Sequence, residues 1–256
     1  MSFGLVTIPV GLYTATEDKR PKFRRLRAED HSLVKNKLVA EADGKEVAWD
    51  EIVSGYEFEK GRYVVFTPEE RSAAVTKGGA KLVDVIQFVD QSEIDPVYYK
   101  AAYYLAPEST GVKAYEILRT ALLEKNRVGI CKVAIRDREH LATLRADKQV
   151  LILETMRWPD EIREASFEEL EPEVDIRDEE LEMAAMIIDN LTSKFDPTAW
   201  VDESRTSIHE LAQKKIDGEE IVAPDIVEPT KVIDLLDALK ASVEATKSEA
   251  ARKKAG

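Results

Sequence analysis

In the stretch GYEFEKGRYVVFTPEE, Tyr56 and Phe58 alternate with charged neighbours, Glu59-Lys60-Gly61 supplies a turn, and Tyr63 to Phe66 runs back. Alternation with period two, interrupted by a glycine-containing turn, predicts a β-hairpin. Thr67-Pro68-Glu69-Glu70 then reads as a capping box, with Thr67 as N-cap, Pro68 at the first helical position and Glu70 reaching back, so a helix should follow. FGLVTIPVGLYTAT is rich in β-branched and aromatic residues and too interrupted by glycine and proline to be helical. Further strands are expected at KLVDVIQFVD, RVGICKVAIR and QVLILETMRW.

Two other segments change period. GVKAYEILRTALLEKNR sets Val112, Tyr115, Ile117, Leu118, Leu122 and Leu123 largely along one face of a helix of about four turns. From Asp178, which can cap a helix whose first turn is crowded with acids, the chain becomes helical through DEELEMAAMIIDNLTSKF and ESRTSIHELAQKKIDGE. Several strands with helices intruding suggest a β-barrel more than a doubly wound sheet. Residues 218–230, with two prolines and no periodicity, read as a linker. In residues 231–256 helical spacing resumes, and Val232, Leu235, Leu236, Leu239 and Val243 make a narrow apolar stripe. A helix this short is marginal alone in water, so the stripe should dock, on a partner in the favoured reading and on its own protein in the other.

Composition narrows the function. With 256 residues, 44% hydrophobic and 34% charged, most of the chain should fold as a soluble protein. No apolar run reaches the roughly 20 residues of a membrane span, and the N-terminal segment has no basic region of a secretory signal. The single cysteine, Cys131, excludes an intrachain disulfide and fits a reducing cytoplasm; within its β-rich run it reads as an inert core thiol. A formal charge of −13 opposes indiscriminate nucleic-acid binding, yet the charge is segregated. From Lys19 to Lys37 there are eight Lys or Arg residues against Glu29 and Asp30; 125–148 is again net basic, and 160–189 is heavily acidic. That distribution suits one basic binding face and an acidic outer surface.

Catalytic motifs are mostly missing: there is no phosphate-cradling glycine pattern, no HExxH and no GxSxG, so no cofactor is expected. His31, His140 and His209 lack metal-ligand spacing and read as surface or capping residues. The scattered carboxylates leave a divalent-metal nuclease as a distant alternative. VYYKAAYYLAPE is aromatic enough to stack bases, although tyrosines in a β-rich context more often finish a core or an interface.

SFGLVTIPVGLYTATE, ADGKEVAWDEIVSGYEFEKGRYVVFTPEE, EIDPVYYKAAYYLAPE, KAYEILRTALLEKNRVGICKVAIRDREHLATLR and DEELEMAAMIIDNLTSKFDPTAW occur in the order of the bacterial Ku family, which the chain resembles over nearly its whole length. The resemblance implies a mixed β/α, β-barrel-centred core over 1–217 with a helical arm at about 178–217, and a ring-forming homodimer threaded by double-stranded DNA ends. It also implies a non-enzymatic role in non-homologous end joining, with 231–256 recruiting the ATP-dependent repair ligase, ligase D. Lys22, Arg24, Arg25, Arg27, Lys35 and Lys37, and less centrally Lys132, Arg136 and Arg138, are the expected phosphate contacts, each competing with ordinary surface ion pairing. Alternation along KVAIRDR puts Lys132, Ala134 and Arg136 on one face and Cys131, Val133 and Ile135 on the other. The chain departs from the family in its first strand, which lacks the usual tryptophan before SFGLV. Its lysine-rich tail is also reduced to Lys247, Arg252, Lys253 and Lys254. A protein-binding barrel with an acidic protein partner is the competing function.

Overall fold

The computed structural model describes residues 1–76, 83–135, 138–167, 176–218, 239–240 and 242–245. They fall in two compact units, one of Met1–Lys19 with Phe23–Glu164, the other of Arg20–Lys22 with the chain from Ala165 onward.

The first unit is built on an eight-stranded sheet. Its strands are β1 (Ser2–Phe3), β2 (Val6–Thr7), β3 (Val10–Thr14), β6 (Asp84–Val89), β7 (Tyr99–Pro107), β8 (Val128–Ile135), β9 (Arg138–Ala146) and β10 (Leu151–Met156). They lie in the order β2-β1-β6-β8-β9-β10-β7-β3, antiparallel throughout except for the β1–β6 pair. The two edge strands, β2 and β3, are separated in the chain only by Ile8 and Pro9. Eight strands laid flat would put those edges roughly 34 Å apart, whereas the Thr7–Val10 link reaches at most about 11 Å. The sheet must therefore curl on itself, and the expected barrel architecture follows from this connection. The N-terminal run is three short strands rather than one, because the chain reverses at Gly4, whose φ of +57° is accessible without a Cβ penalty, and breaks pairing at Pro9.

The inner face is closed by α2 (Val112–Lys125), whose Tyr115, Leu118 and Leu122 pack with Leu105, Cys131, Val133, Ala142, Leu144, Leu151 and Leu153. The buried stripe is narrower than sequence spacing predicts: Val112, Ile117 and Leu123 are exposed. Spacing at three and seven residues selects one line of contact, and residues offset from it by 100° or so face water. The Tyr115 hydroxyl donates to the Leu105 carbonyl at 2.6 Å and accepts from the Leu151 amide at 2.6 Å, tying α2 to the ends of β7 and β10. Cys131 is fully buried, and desolvation, aided by the charge of Asp84, pushes its thiol up to about 12. It is a packing residue, as its run predicts.

The predicted hairpin forms from β4 (Ser54–Glu59) and β5 (Arg62–Phe66), with Gly61 at φ +76° in the turn. It leads into α1 (Pro68–Thr76) through the expected capping box: the Thr67 amide donates to Glu70 at 2.9 Å and the Glu70 amide to Thr67 Oγ1 at 3.1 Å. Two strands were not foreseen. β7 lies within VYYKAAYYLAPE, and its burial of Leu105 and part of Tyr103 favours the core reading of those tyrosines, with Tyr104 exposed. β9 crosses the second basic stretch and buries Ala142, Thr143 and Leu144.

In the second unit, α3 (Asp178–Leu191) and α4 (Glu203–Ile216) occur where predicted, and neither has a buried residue. The N-cap of α3 is Arg177, not Asp178: its amide donates to the Glu180 carboxylate at 3.1 Å. Glu180, three positions on, satisfies the terminal amide, and Asp178 becomes the first of three acids in the dipole-favoured first turn. Of the proposed docking stripe, Val232, Leu235 and Leu236 lie outside the described residues; Leu239 is half-buried and Val243 is buried.

Candidate nucleic-acid interface

The basic stretch forms no long element. Leu26 bridges Leu33 in antiparallel fashion, the Arg27 amide donates to the Ser32 carbonyl at 2.9 Å and the Val34 amide to the Arg25 carbonyl at 3.1 Å. A second small loop is closed by the Val39–Glu46 bridge and by the Ala40 amide on the Lys45 carbonyl at 2.8 Å. Side chains from Lys22 to Val39 are exposed throughout.

That local pairing separates the expected contacts into bound and free cations. Arg27 grips both carboxylate oxygens of Asp30, through Nε at 2.9 Å and through Nη2. Asp30 also accepts from the Ser32 amide at 3.1 Å, and these bonds, Arg27 first, hold its carboxyl well below the usual range. Arg25 donates to Asn36 Oδ1 at 2.8 Å, and Lys37 pairs with Glu46 at 2.6 Å. Among the described residues, Arg24 and Lys35 have no such partner, and neither does Lys22, which falls in the second unit. Alternation about the Leu26–Leu33 bridge puts Arg25 and Arg27 on one side of this ladder, and Arg24 and Lys35 on the other with the two leucines. A single-contact exposed pair such as Lys37–Glu46 is worth about 0–1 kcal/mol, so a phosphate can displace that carboxylate at little cost, whereas Arg27 would have to give up a two-bond grip on Asp30.

The second stretch behaves differently. β8 alternates as predicted, with Cys131 and Val133 buried and Lys132 exposed. Lys132 sits 3.7 Å from Glu139 and 5.9 Å above the Trp158 ring, a cation–π arrangement that the sequence did not signal. Arg136 lies outside the described residues. Arg138 pairs opposite Ile135, on the Val133 side of the sheet, so it does not share the Lys132 face. A hairpin register places partners directly opposite each other on the same face, so Arg138 goes with Ile135 and Val133.

Sequence reasoning also missed a partly buried pair on the Lys132 face. Arg145 donates to both oxygens of Glu154, at 3.0 and 3.2 Å, beside the fully buried Thr143. The signal available was a lone Glu inside LILETM and a lone Arg after ATL, which strand pairing brings onto neighbouring positions. His140 is half-buried rather than a surface histidine. Among the described residues, no three His, Cys, Asp or Glu side chains come together as metal ligands, and no helix is long and apolar enough to cross a membrane.

Comparison with known proteins supplies the frame for these features. The family described as the Ku70/Ku80 beta-barrel domain matches residues 2–183. The chain is 42% identical over 249 residues to the non-homologous end joining protein Ku of Frankia casuarinae, covering 97% of this chain and 63% of that protein. It is 40% identical to the protein of the same name from Bacillus subtilis, over 96% of this chain and 80% of the relative. The corresponding figures for Heliobacterium modesticaldum are 39%, 97% and 91%.

Proposed function

Because the chain belongs to the Ku family, we propose that it binds the ends of double-stranded DNA, without reading sequence and without catalysis, as a ring-shaped homodimer acting in non-homologous end joining. The observation that carries this reading is the exposed basic ladder at 24–37, where Arg24 and Lys35 are left without a carboxylate partner among the described residues in a chain of net charge −13. Cations held free on a short paired loop offer phosphate contacts, and phosphate contacts alone need no base readout. An acidic remainder weakens non-specific attraction, so end preference has to come from geometry, and threading through a closed ring supplies it.

The dimer is supported by what a single chain leaves uncovered. Within the first unit Phe23, Leu33, Trp49, Val53, Tyr56 and Tyr63 are exposed, Trp49 at 81%. A two-stranded hairpin such as β4–β5 is at best marginally stable alone, and apolar surface on this scale marks a protein interface. Leu181, Ile188 and Leu191 add a second exposed line on α3.

A gel-shift titration tests the ring directly, comparing an open linear duplex with the same duplex closed at both ends by bulky hairpins. Binding confined to open ends is expected, with a steep fall as salt rises. Equal binding to both duplexes would sink threading, and no binding to either would favour the acidic protein partner. The segment 231–256 recruits the repair ligase in this reading. Its deletion is expected to leave duplex affinity unchanged and to remove stimulation of joining by ligase D; joining that stays fully stimulated would assign recruitment elsewhere.

A further inference from the structure

Near the starts of β7 and β9, Lys100 and Arg138 both act electrostatically on His140, a grouping that no expected contact set contains. The β10–β7 register slips there: Thr155 faces Ala101 and Met156 faces Tyr99, so Lys100 is the extra residue of a bulge. A bulge bends its strand and re-aims the side chain it carries. The bulge is held by Arg157, whose Nη1 donates to the Val97 and Tyr99 carbonyls at 2.7 and 2.8 Å and whose amide donates to the Tyr98 carbonyl at 2.8 Å. On β9, Arg138 lies opposite Ile135 and His140 opposite Val133, on one face of the sheet.

His140 is half-buried, opposite the buried Val133. The charged groups facing it are Lys100 from β7, Arg138 from β9 and, in opposition, Glu161 from the turn after β10. Burial first, then Lys100, disfavours the protonated imidazole, and Arg138 adds to this, while the Ile135 backbone and Glu161 favour it. Lys100 and Arg138 are both exposed, and neither has an ion pair among the described residues. A preset ammonium, a guanidinium and an adjacent neutral imidazole are the parts of an anion site that gains a third donor on protonation.

We propose that Lys100, Arg138 and His140 form a proton-linked phosphate site, which takes up a backbone phosphate of the bound duplex. The inference rests on the DNA-binding reading above and adds regulation to it. The free imidazole titrates below its ordinary value near 6.5 and is neutral at higher pH. A bound phosphate supplies the missing negative charge and raises that value, so binding takes up a proton, and affinity grows as pH falls through the interval between the free and the bound titrations.

The test measures affinity for an open linear duplex by fluorescence anisotropy from about pH 8 to about pH 6 at fixed ionic strength, for the full chain and for His140→Gln. One linked proton can change affinity by at most tenfold per pH unit, and the wild-type protein should gain roughly threefold more than His140→Gln over this range. His209→Gln, on the exposed face of α4, should follow the wild type. Superimposable curves for wild type and His140→Gln would overturn the proposal. A second arm titrates the imidazole by NMR with and without inorganic phosphate. An upward shift in the wild type that is lost in Lys100→Met supports the site even if no duplex binds at any pH, an outcome that would refute the DNA-binding reading alone. An unmoved imidazole would remove the site itself.

Discussion

Changing Arg24 and Lys35 together to glutamate is expected to weaken duplex binding by roughly 10³-fold at about 0.1 M salt. Each phosphate contact contributes a slope of about 0.9 to the salt dependence of log affinity. Two contacts in each protomer of a dimer give four, and the fitted slope should fall by about 3.6. Arg27→Glu should cost much less affinity, because the Arg27 guanidinium is already neutralised by Asp30 and would have to exchange one anion for another. Anisotropy titrations across a salt series check both numbers, with circular dichroism confirming that the fold is kept. An unchanged affinity and slope in the Arg24, Lys35 double variant would remove this ladder from the DNA path. A loss equal to that of Arg27→Glu would mean that local pairing does not decide which cations bind.

The second large effect concerns assembly. In the proposed homodimer, Ile188→Asp with Leu191→Asp should leave the protein monomeric, read by light scattering behind size exclusion, and abolish end binding as a consequence. Ile188 and Leu191 are 66% and 62% exposed on α3 in the single chain, so they have little to lose within it. Burying each in an interface is worth about 1.5–3 kcal/mol. Across two protomers that is four side chains, or roughly 6–12 kcal/mol, before the cost of desolvating the new carboxylates. Unchanged secondary structure with a halved mass is the expected signature. A variant that remains a dimer would move the interface to the apolar surface of the first unit, around Trp49 and Tyr56.

Much of this was legible because it depends on neighbours in the chain. The hairpin at 54–66 and its Thr67–Glu70 box are interactions within four residues or across a tight turn, and period-two alternation with a turn glycine specifies them. The face of β8 carrying Cys131 and Val133 was read correctly for the same reason. β7 and β9 were hidden because each has a single fully buried leucine, Leu105 or Leu144, among alanine, threonine and tyrosine, and these become apolar sheet faces only when β10 lies between the two strands. The cap of α3 was displaced by one residue because Asp178 and Glu180 are both competent, and side-chain reach chose Glu180.

By itself, the sequence determined that this is a β-rich barrel protein with segregated charge, a basic ladder near its start and amphipathic helices toward its end, since periodicity, turn chemistry and net charge are local or additive properties. Only the tertiary structure decided which cations are available. Arg27 and Lys37 are tied to Asp30 and Glu46 by loop closure, Lys132 leans on Trp158 and Glu139, and Lys100 is set on a bulge by a one-residue slip between β7 and β10. Availability is a property of pairs brought together by register, and register depends on how strands distant in the chain choose to align.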